Sequence, residues 1–299
     1  MYTKDLLREY ISNSELRIYN DNIKVRLSKE LATKYDNGVY DNYLNNLERY
    51  YTMINNLGIV YPSNARPVLY LYIVPDENYE EYLSTPKVFR GGNGGGKPVT
   101  CYDIDGFNSA YGISQNLCVN RSNNENISVV VNNVHELAHL VHGQYFNVDR
   151  MINEGFAETL PLYVMGLEDK FEDHREALLN MDENQIYSAK ELLISGKDGS
   201  YGKEALIPNR SCSFRLSYIS SYLFVRFCLE EIGRKFNLNR INSIMYFLNY
   251  VKTSRCSDDD LIFELAHLLE VDRNELLNTK KYQLEVLENI SKINDINKK

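Results

Sequence analysis

The segment His135-Glu136-Leu137-Ala138-His139 constrains this chain more than any other. On a helix, positions i and i+4 share a face, so His135 and His139 would project their imidazoles side by side. Two neutral imidazoles so placed can close on a single Zn²⁺. Glu136 sits about 100° further round the helix than His135. That offset takes it out of the ligand set and lets it stand beside a metal-activated water as general base. Catalytic zinc usually has three protein ligands and an open fourth position. The best candidate for the third ligand is Glu154, within Asn153-Glu154-Gly155-Phe156-Ala157-Glu158. Glu158, one turn further on, can reach the outer nitrogen of a ligand histidine and fix its tautomer. Asn153 and Glu158 are therefore the expected outer partners of the ligands.

HExxH alone is short and occurs by chance; HExxH followed by NEGFAE is far more specific. At these residues, within 128–166, the chain resembles the gluzincin metallopeptidases, which include thermolysin, aminopeptidase N and the bacterial collagenases. Asn153-Glu154-Gly155-Phe156-Ala157 is most similar to the aminopeptidase N and collagenase branches. The resemblance implies zinc held by His135, His139 and Glu154, with Glu136 as general base. Tyr218-Ile219-Ser220-Ser221-Tyr222-Leu223-Phe224 resembles the Tyr-x-x-Gly/Ser-x-x-Phe helix of the aminopeptidase-type members. There the tyrosine hydroxyl stabilises the tetrahedral intermediate, which implies that role for Tyr218, with Tyr222 as the nearby alternative. Plain core packing is the competing reading of both, in a chain with 24 tyrosines.

Composition narrows the function classes. The 299 residues carry 33 Lys and Arg against 41 Asp and Glu, a net charge of −8. Nonspecific nucleic-acid binding needs a basic face and is not expected. Charged residues at 25% and hydrophobic ones at 43% are ordinary for a soluble globular protein. The five cysteines, Cys101, Cys118, Cys212, Cys228 and Cys256, show no CxxC and no regular spacing, and are read as reduced thiols. Residues 1–9 contain no apolar signal region, and no run reaches transmembrane length. The expectation is a cytoplasmic protein with no membrane partner, non-classical export being the alternative.

Along the chain, residues 1–58 have apolar positions at helical spacing through Ile23–Tyr35 and again through Tyr40–Leu57, with Gly38 and Gly58 as stops. Pro67–Val74 is a β-rich apolar run and reads as a strand. Arg90–Lys97, RGGNGGGK, formally contains GxxxxGK. Pro98 follows where a phosphate-binding loop needs Ser or Thr, and no βαβ unit surrounds it, so a surface loop bordering the cleft is expected. Tyr102–Val119 alternates weakly. Its Ser109–Ile113 stretch is read either as an ordinary strand or as the counterpart of the gluzincin edge strand, which pairs with the peptide backbone. Met151–Gly166 is the second site helix. His142 is a weaker ligand candidate than Glu154, and His174 sits in a solvated charged run. Arg215–Gly233 reads as a strong helix, with further helices over Asn237–Val251 and Asp258–Leu277. Glu264-Leu265-Ala266-His267 echoes the motif, but Phe263 stands where its first histidine would be. Ser291–Lys299 reads as a frayed tail.

The predicted fold class is α+β: a zincin-like metallopeptidase unit with a small mixed sheet and a mostly helical C-terminal half. The predicted parts are an N-terminal helical segment over 1–66 packed on the catalytic unit, sheet and metal-binding helix over 67–143, and a helical lobe with the third zinc ligand over 144–299. The expected chemistry is zinc-dependent hydrolysis of peptide bonds with one Zn²⁺ per chain and a peptide or protein substrate. An endopeptidase is favoured, because the Gly-x-Met-Glu-Asn strand with which aminopeptidase N holds a free amine is missing. An aminopeptidase using Asp103 or Asp105, or a noncatalytic zinc-containing binding protein, are the alternatives. Oligomeric state is left open.

Overall fold

The computed structural model describes residues 14–20, 23–29, 32–33, 41–60, 69–73, 97–101, 110–114, 135, 138–139, 150–164, 181, 183–198, 216–254 and 258–297. They form an α+β chain, mostly helical, that divides into two compact units, Met1–Val141 and His142–Lys299. Among the described residues, no helix is long and apolar enough to cross a membrane.

The first unit holds the strands. β1 (Ser14–Ile18) pairs antiparallel with β2 (Ile23–Ser28), and β2 pairs parallel with β3 (Leu69–Ile73). A parallel pair needs a long crossover, and here it includes helix α1 (Asp41–Asn56). β2 is the middle strand, and both Ile23 and Val25 are fully buried. Asn20 closes the β1–β2 connection: its side-chain oxygen accepts the Ile23 N–H at 2.8 Å, while its amide donates to Glu48 of α1 at 2.8 Å. The Tyr19 hydroxyl adds a bond to Asn45. On α1, Leu44, Tyr51 and Ile54 form the buried stripe.

A second ladder joins β4 (Lys97–Cys101) antiparallel to β5 (Ala110–Ser114). β5 lies close to β3, but among the described strands it pairs with β4 alone. Pro98 suits β4 as an edge, because a strand proline cannot donate to the ladder.

Two expectations are corrected here. The stretch 23–28, read as helical, is a strand, so the N-terminal segment is not wholly helical. Ile23 and Leu27 fit an i, i+4 spacing, but Ile23, Val25 and Leu27 fit a period of two equally well, and the sheet decides. The mixed sheet therefore draws two strands from residues before 67. Ser109–Ile113 falls largely on β5, which pairs with β4 alone in a two-stranded ladder, so neither the edge-strand nor the ordinary-strand reading is overturned. Lys97 opens a strand where a phosphate-binding loop would open a helix, in agreement with the rejection of that motif.

The second unit is built around one helix. It contains α2 (Arg150–Thr159), a π-helical turn (Leu160–Val164), α3 (Ala189–Asp198), α4 (Leu216–Phe236), α5 (Arg240–Ser254), α6 (Asp258–Leu269), α7 (Arg273–Asn278) and α8 (Lys281–Asn297). α4 is buried on nearly every side from Ser217 to Leu229 and packs against α2, α3, α5, α6 and α8. A helix apolar all round is expected at the centre of such a bundle. Phe156 stacks with Phe247, and Phe227 with Tyr282, tying α2 to α5 and α4 to α8. α3 begins with a capping box in which Ser188 and Glu191 exchange bonds to each other's backbone N–H.

α4 runs past Gly233, which was read as its stop. Asn237 is the left-handed cap residue (φ 52°), and Leu238 N–H bonds Gly233 C=O at 2.9 Å, a Schellman closure. Gly233 instead leaves room for α5, since a Cβ there would lie 3.0 Å from Ser243 Oγ. The stretch 258–277 is two helices, broken where Glu270 takes φ 57°. The tail read as frayed is helical to Asn297. The echo at 263–267 is core on one side: Leu265 and Ala266 are buried, whereas Phe263 and His267 face solvent.

α2 and α4 approach very closely because of Gly155. A Cβ on Gly155 would lie 2.5 Å from the Ser221 carbonyl oxygen and 2.8 Å from Val225 Cγ2. Ser221 is itself small and fully buried on the facing helix. Gly155→Ala should therefore destabilise. Helix propensity alone would favour alanine by about 1 kcal/mol. The clash is with backbone, which cannot rotate away, and overpacking costs about 1–3 kcal/mol, towards the upper end here. A denaturation midpoint equal to or above wild type would refute this account of the packing.

Candidate metal centre

His135, Ala138 and His139 have helical backbone, and Ala138 is buried beside them. One turn apart, the two rings stand edge to face at 85° with their centroids 4.8 Å apart. Their Nε2 atoms are 3.1 Å from each other. Two nitrogens bound to one tetrahedral zinc at 2.0–2.1 Å would stand about 3.3 Å apart, so the pair fits a shared ion. At this spacing, either one ring donates its proton to the other or both turn lone pairs to the same cation. His135 is buried and His139 half-buried.

Glu154 completes the set. His135, His139 and Glu154 each offer a ligand atom, and these atoms all lie within 4.8 Å of one another. The group could hold a metal ion; two imidazoles and a carboxylate are a donor set that zinc accepts. Among the described residues, no other group of three or more His, Cys, Asp or Glu side chains is so arranged.

The local fold explains why Glu154 is presented. It occupies the second turn of α2, next to Gly155, whose face is pressed against α4. Beyond Thr159 the helix widens into the π turn. Pro161 has no N–H to give the Ala157 carbonyl, so the regular ladder cannot continue through it. Thr159 Oγ1 donates to Gly155 C=O at 2.6 Å and braces the end of the α-helical part. The Glu154 side chain is only 12% exposed, and its Oε1 accepts from Arg150 Nε at 3.4 Å.

Arg150 was not singled out from the sequence. It is the first residue of α2; its Nε donates to Glu154 Oε1, and Tyr218 lies near enough to act on its charge. Burial works against its charge, but the Tyr218 oxygen and the Glu154 carboxylate outweigh it and raise its pKa above the usual value. The one signal available was its placement. Arg150 is a cation in the first turn of a helix, where the macrodipole disfavours it.

The two tyrosine candidates differ in surroundings. Tyr222 is fully buried, and its hydroxyl accepts from Arg226 at 2.7 Å inside the bundle. Arg226 is itself buried against Glu230 and the Tyr163 ring. Tyr218, one turn earlier on α4, is half-buried and in reach of Arg150 beside Glu154. Tyr222 belongs to the core; Tyr218 is the one that neighbours a metal-site residue.

Of the expected outer partners, Glu158 is buried on α2 one turn after Glu154, and Asn153 is half-buried. A buried carboxylate at this position suits the role of orienting a ligand. Glu158→Ala should weaken zinc binding about 10–100-fold, the usual effect of removing such a partner. Collapse of the fold, seen by circular dichroism, would make Glu158 a structural residue instead. Glu136, His142, His174, Asp103 and Asp105 lie outside the described residues. Cys228 is buried in α4, and burial pushes its thiol pKa up, which makes it unreactive.

Comparison with protein families, with curated proteins and with solved structures returns no match for this chain.

Proposed function

We propose that this chain is a zinc-dependent peptidase of the gluzincin type, acting on internal peptide bonds. The observation that carries the reading is the convergence of His135 and His139 Nε2, 3.1 Å apart, with Glu154 as third donor. These residues match the family's ligand pattern, and an α+β chain with a small mixed sheet followed by helices suits a zincin-like unit.

Zinc held there would supply Lewis acidity towards the scissile carbonyl and lower the pKa of a water. Glu136 takes the proton of the attacking water on its carboxylate and returns it to the leaving amine nitrogen. Tyr218 donates its O–H to the developing oxyanion. The two-stranded β4–β5 ladder offers a strand edge to which an extended substrate can add by main-chain hydrogen bonds. Binding along a strand edge suits an internal segment of a peptide, with no need for a free terminus.

The test is metal content together with cleavage of a diverse peptide library. The expected result is close to one zinc per chain and cleavage at internal bonds. Zinc without any cleavage would make the protein a binding module, and stepwise removal of N-terminal residues would make it an aminopeptidase.

A further inference from the structure

β1 is an edge strand: among the described strands it pairs with β2 alone, at one side of the three-stranded sheet. An edge directs a row of backbone N–H and C=O groups away from its sheet, and that row is a template for another strand. The ladder shows which residues carry it. Tyr19 N–H donates to Ile23 C=O at 3.2 Å, one step beyond the Ile18–Lys24 pair. Pairs along an antiparallel ladder alternate between hydrogen-bonded and non-hydrogen-bonded. Arg17 and Glu15 therefore turn their backbone groups towards β2, and Ser14, Leu16 and Ile18 turn theirs outward.

A second β1 running antiparallel can use this whole row in a single register. Leu16 then bonds Leu16 of the other copy, and Ser14 of each bonds Ile18 of the other. A slip of two residues in either direction leaves part of the row unused. The full register also decides where the charges fall. Glu15 of each copy lies directly opposite Arg17 of the other, in the non-hydrogen-bonded pairs, where side chains stand closest. Charge on an edge strand ordinarily hinders pairing. Here its two signs are spaced so that a second copy meets unlike charge at both positions. Within one chain Arg17 and Glu15 form an ion pair of 3.2 Å, but the side chains are 32% and 48% exposed, so water screens it. Ile18, at 69%, is the most exposed large apolar residue among those described, and it lies on the same strand.

We propose that two copies of this chain associate through β1 as a symmetric antiparallel pair, joining their three-stranded sheets into one. The contact consists of main-chain bonds and two cross-strand ion pairs. It is small, so the association is reversible and depends on concentration. It needs neither zinc nor the peptidase reading.

The test is sedimentation velocity of the whole chain over a range of concentrations, for wild type, Glu15→Arg, Arg17→Glu, Ile18→Pro and the Glu15→Arg/Arg17→Glu double reversal. Circular dichroism and melting temperature check that each variant folds. Wild type should pass from monomer to dimer as concentration rises. Either single reversal sets like charges opposite each other in both pairs and should weaken the dimer about 10–100-fold. Ile18→Pro removes one outward N–H while leaving the bonds to β2, as an edge position allows, and should weaken it too. An equal mixture of Glu15→Arg and Arg17→Glu should recover the dimer as one copy of each, because the basic pair of one then faces the acidic pair of the other. An altered fold in either variant cannot produce that recovery. The double reversal keeps the ion pair within the chain, so it remains a test even where a single reversal fails to fold. It should dimerise with itself and not with wild type. A wild-type chain that stays monomeric throughout would overturn the inference. So would a dimer that the reversals leave unchanged, or a double reversal that pairs with wild type as readily as with itself.

Discussion

Zinc will be lost almost entirely when either His135 or His139 is replaced by alanine. Each ring supplies one of two nitrogens that meet 3.1 Å apart, and one imidazole cannot make that clamp. The loss should exceed the 10–100-fold typical of an outer partner, since a ligand is removed outright. Glu154→Ala should weaken zinc as well, because among the described residues only Glu154 joins the pair as a third donor. His142→Ala should leave the zinc in place. Metal analysis after dialysis against a weak chelator reads all four variants. Full zinc retention in both histidine variants would end the metal assignment. Loss on His142→Ala with retention on Glu154→Ala would show that the wrong third ligand was chosen.

What could be read in the sequence was local. The i, i+4 histidines and the buried stripe of α1 each follow from spacing on one helix, and the carboxylate of NEGFAE from the resemblance of that motif. What could not be read depended on neighbours. Ile23 to Leu27 satisfy helical and strand periods alike, and only pairing with β1 and β3 chooses the strand. Gly233 looked like a helix stop, but the chain closes α4 with Asn237 and uses the glycine for contact with α5. Tyr218 and Tyr222, four apart on one helix, cannot be told apart by pattern. Burial and the partners Arg226 and Arg150 separate them.

Gly155 shows how the fold and the site depend on each other. Its missing side chain lets the α2 backbone meet the Ser221 carbonyl of α4. The same close approach brings the start of α2, with Arg150 and Glu154, beside Tyr218 near the start of α4. A residue with no chemistry of its own thus sets the spacing between Glu154, of the group that could hold a metal, and Tyr218. NEGFAE is informative as a unit on this reading: Glu154 joins the candidate metal group, and Gly155 permits the packing that places it.

The sharpest distinction between an enzyme and a zinc-holding binding protein turns on Glu136. The spacing in the sequence puts Glu136 about 100° round a helix from His135, and the expectation that follows is a base beside the ligand pair and not a member of it. Glu136→Gln should therefore keep fold and zinc. The amide has nearly the same shape but no oxygen basic enough to take the proton of the attacking water. Peptide hydrolysis should fall by on the order of 10²–10⁴-fold, the usual contribution of a positioned general base. Tyr218→Phe should lower kcat with little change in KM, because an oxyanion donor acts mainly in the transition state. Both variants should be compared with wild type on the same peptide library, with zinc measured in each. A Glu136→Gln protein that cleaves as fast as wild type would show the proposed proton transfer to be wrong. A Glu136→Gln protein that loses its zinc would instead make Glu136 a ligand. Binding alone needs no base at this position, so a large rate loss at constant zinc is the result that only an enzyme can give.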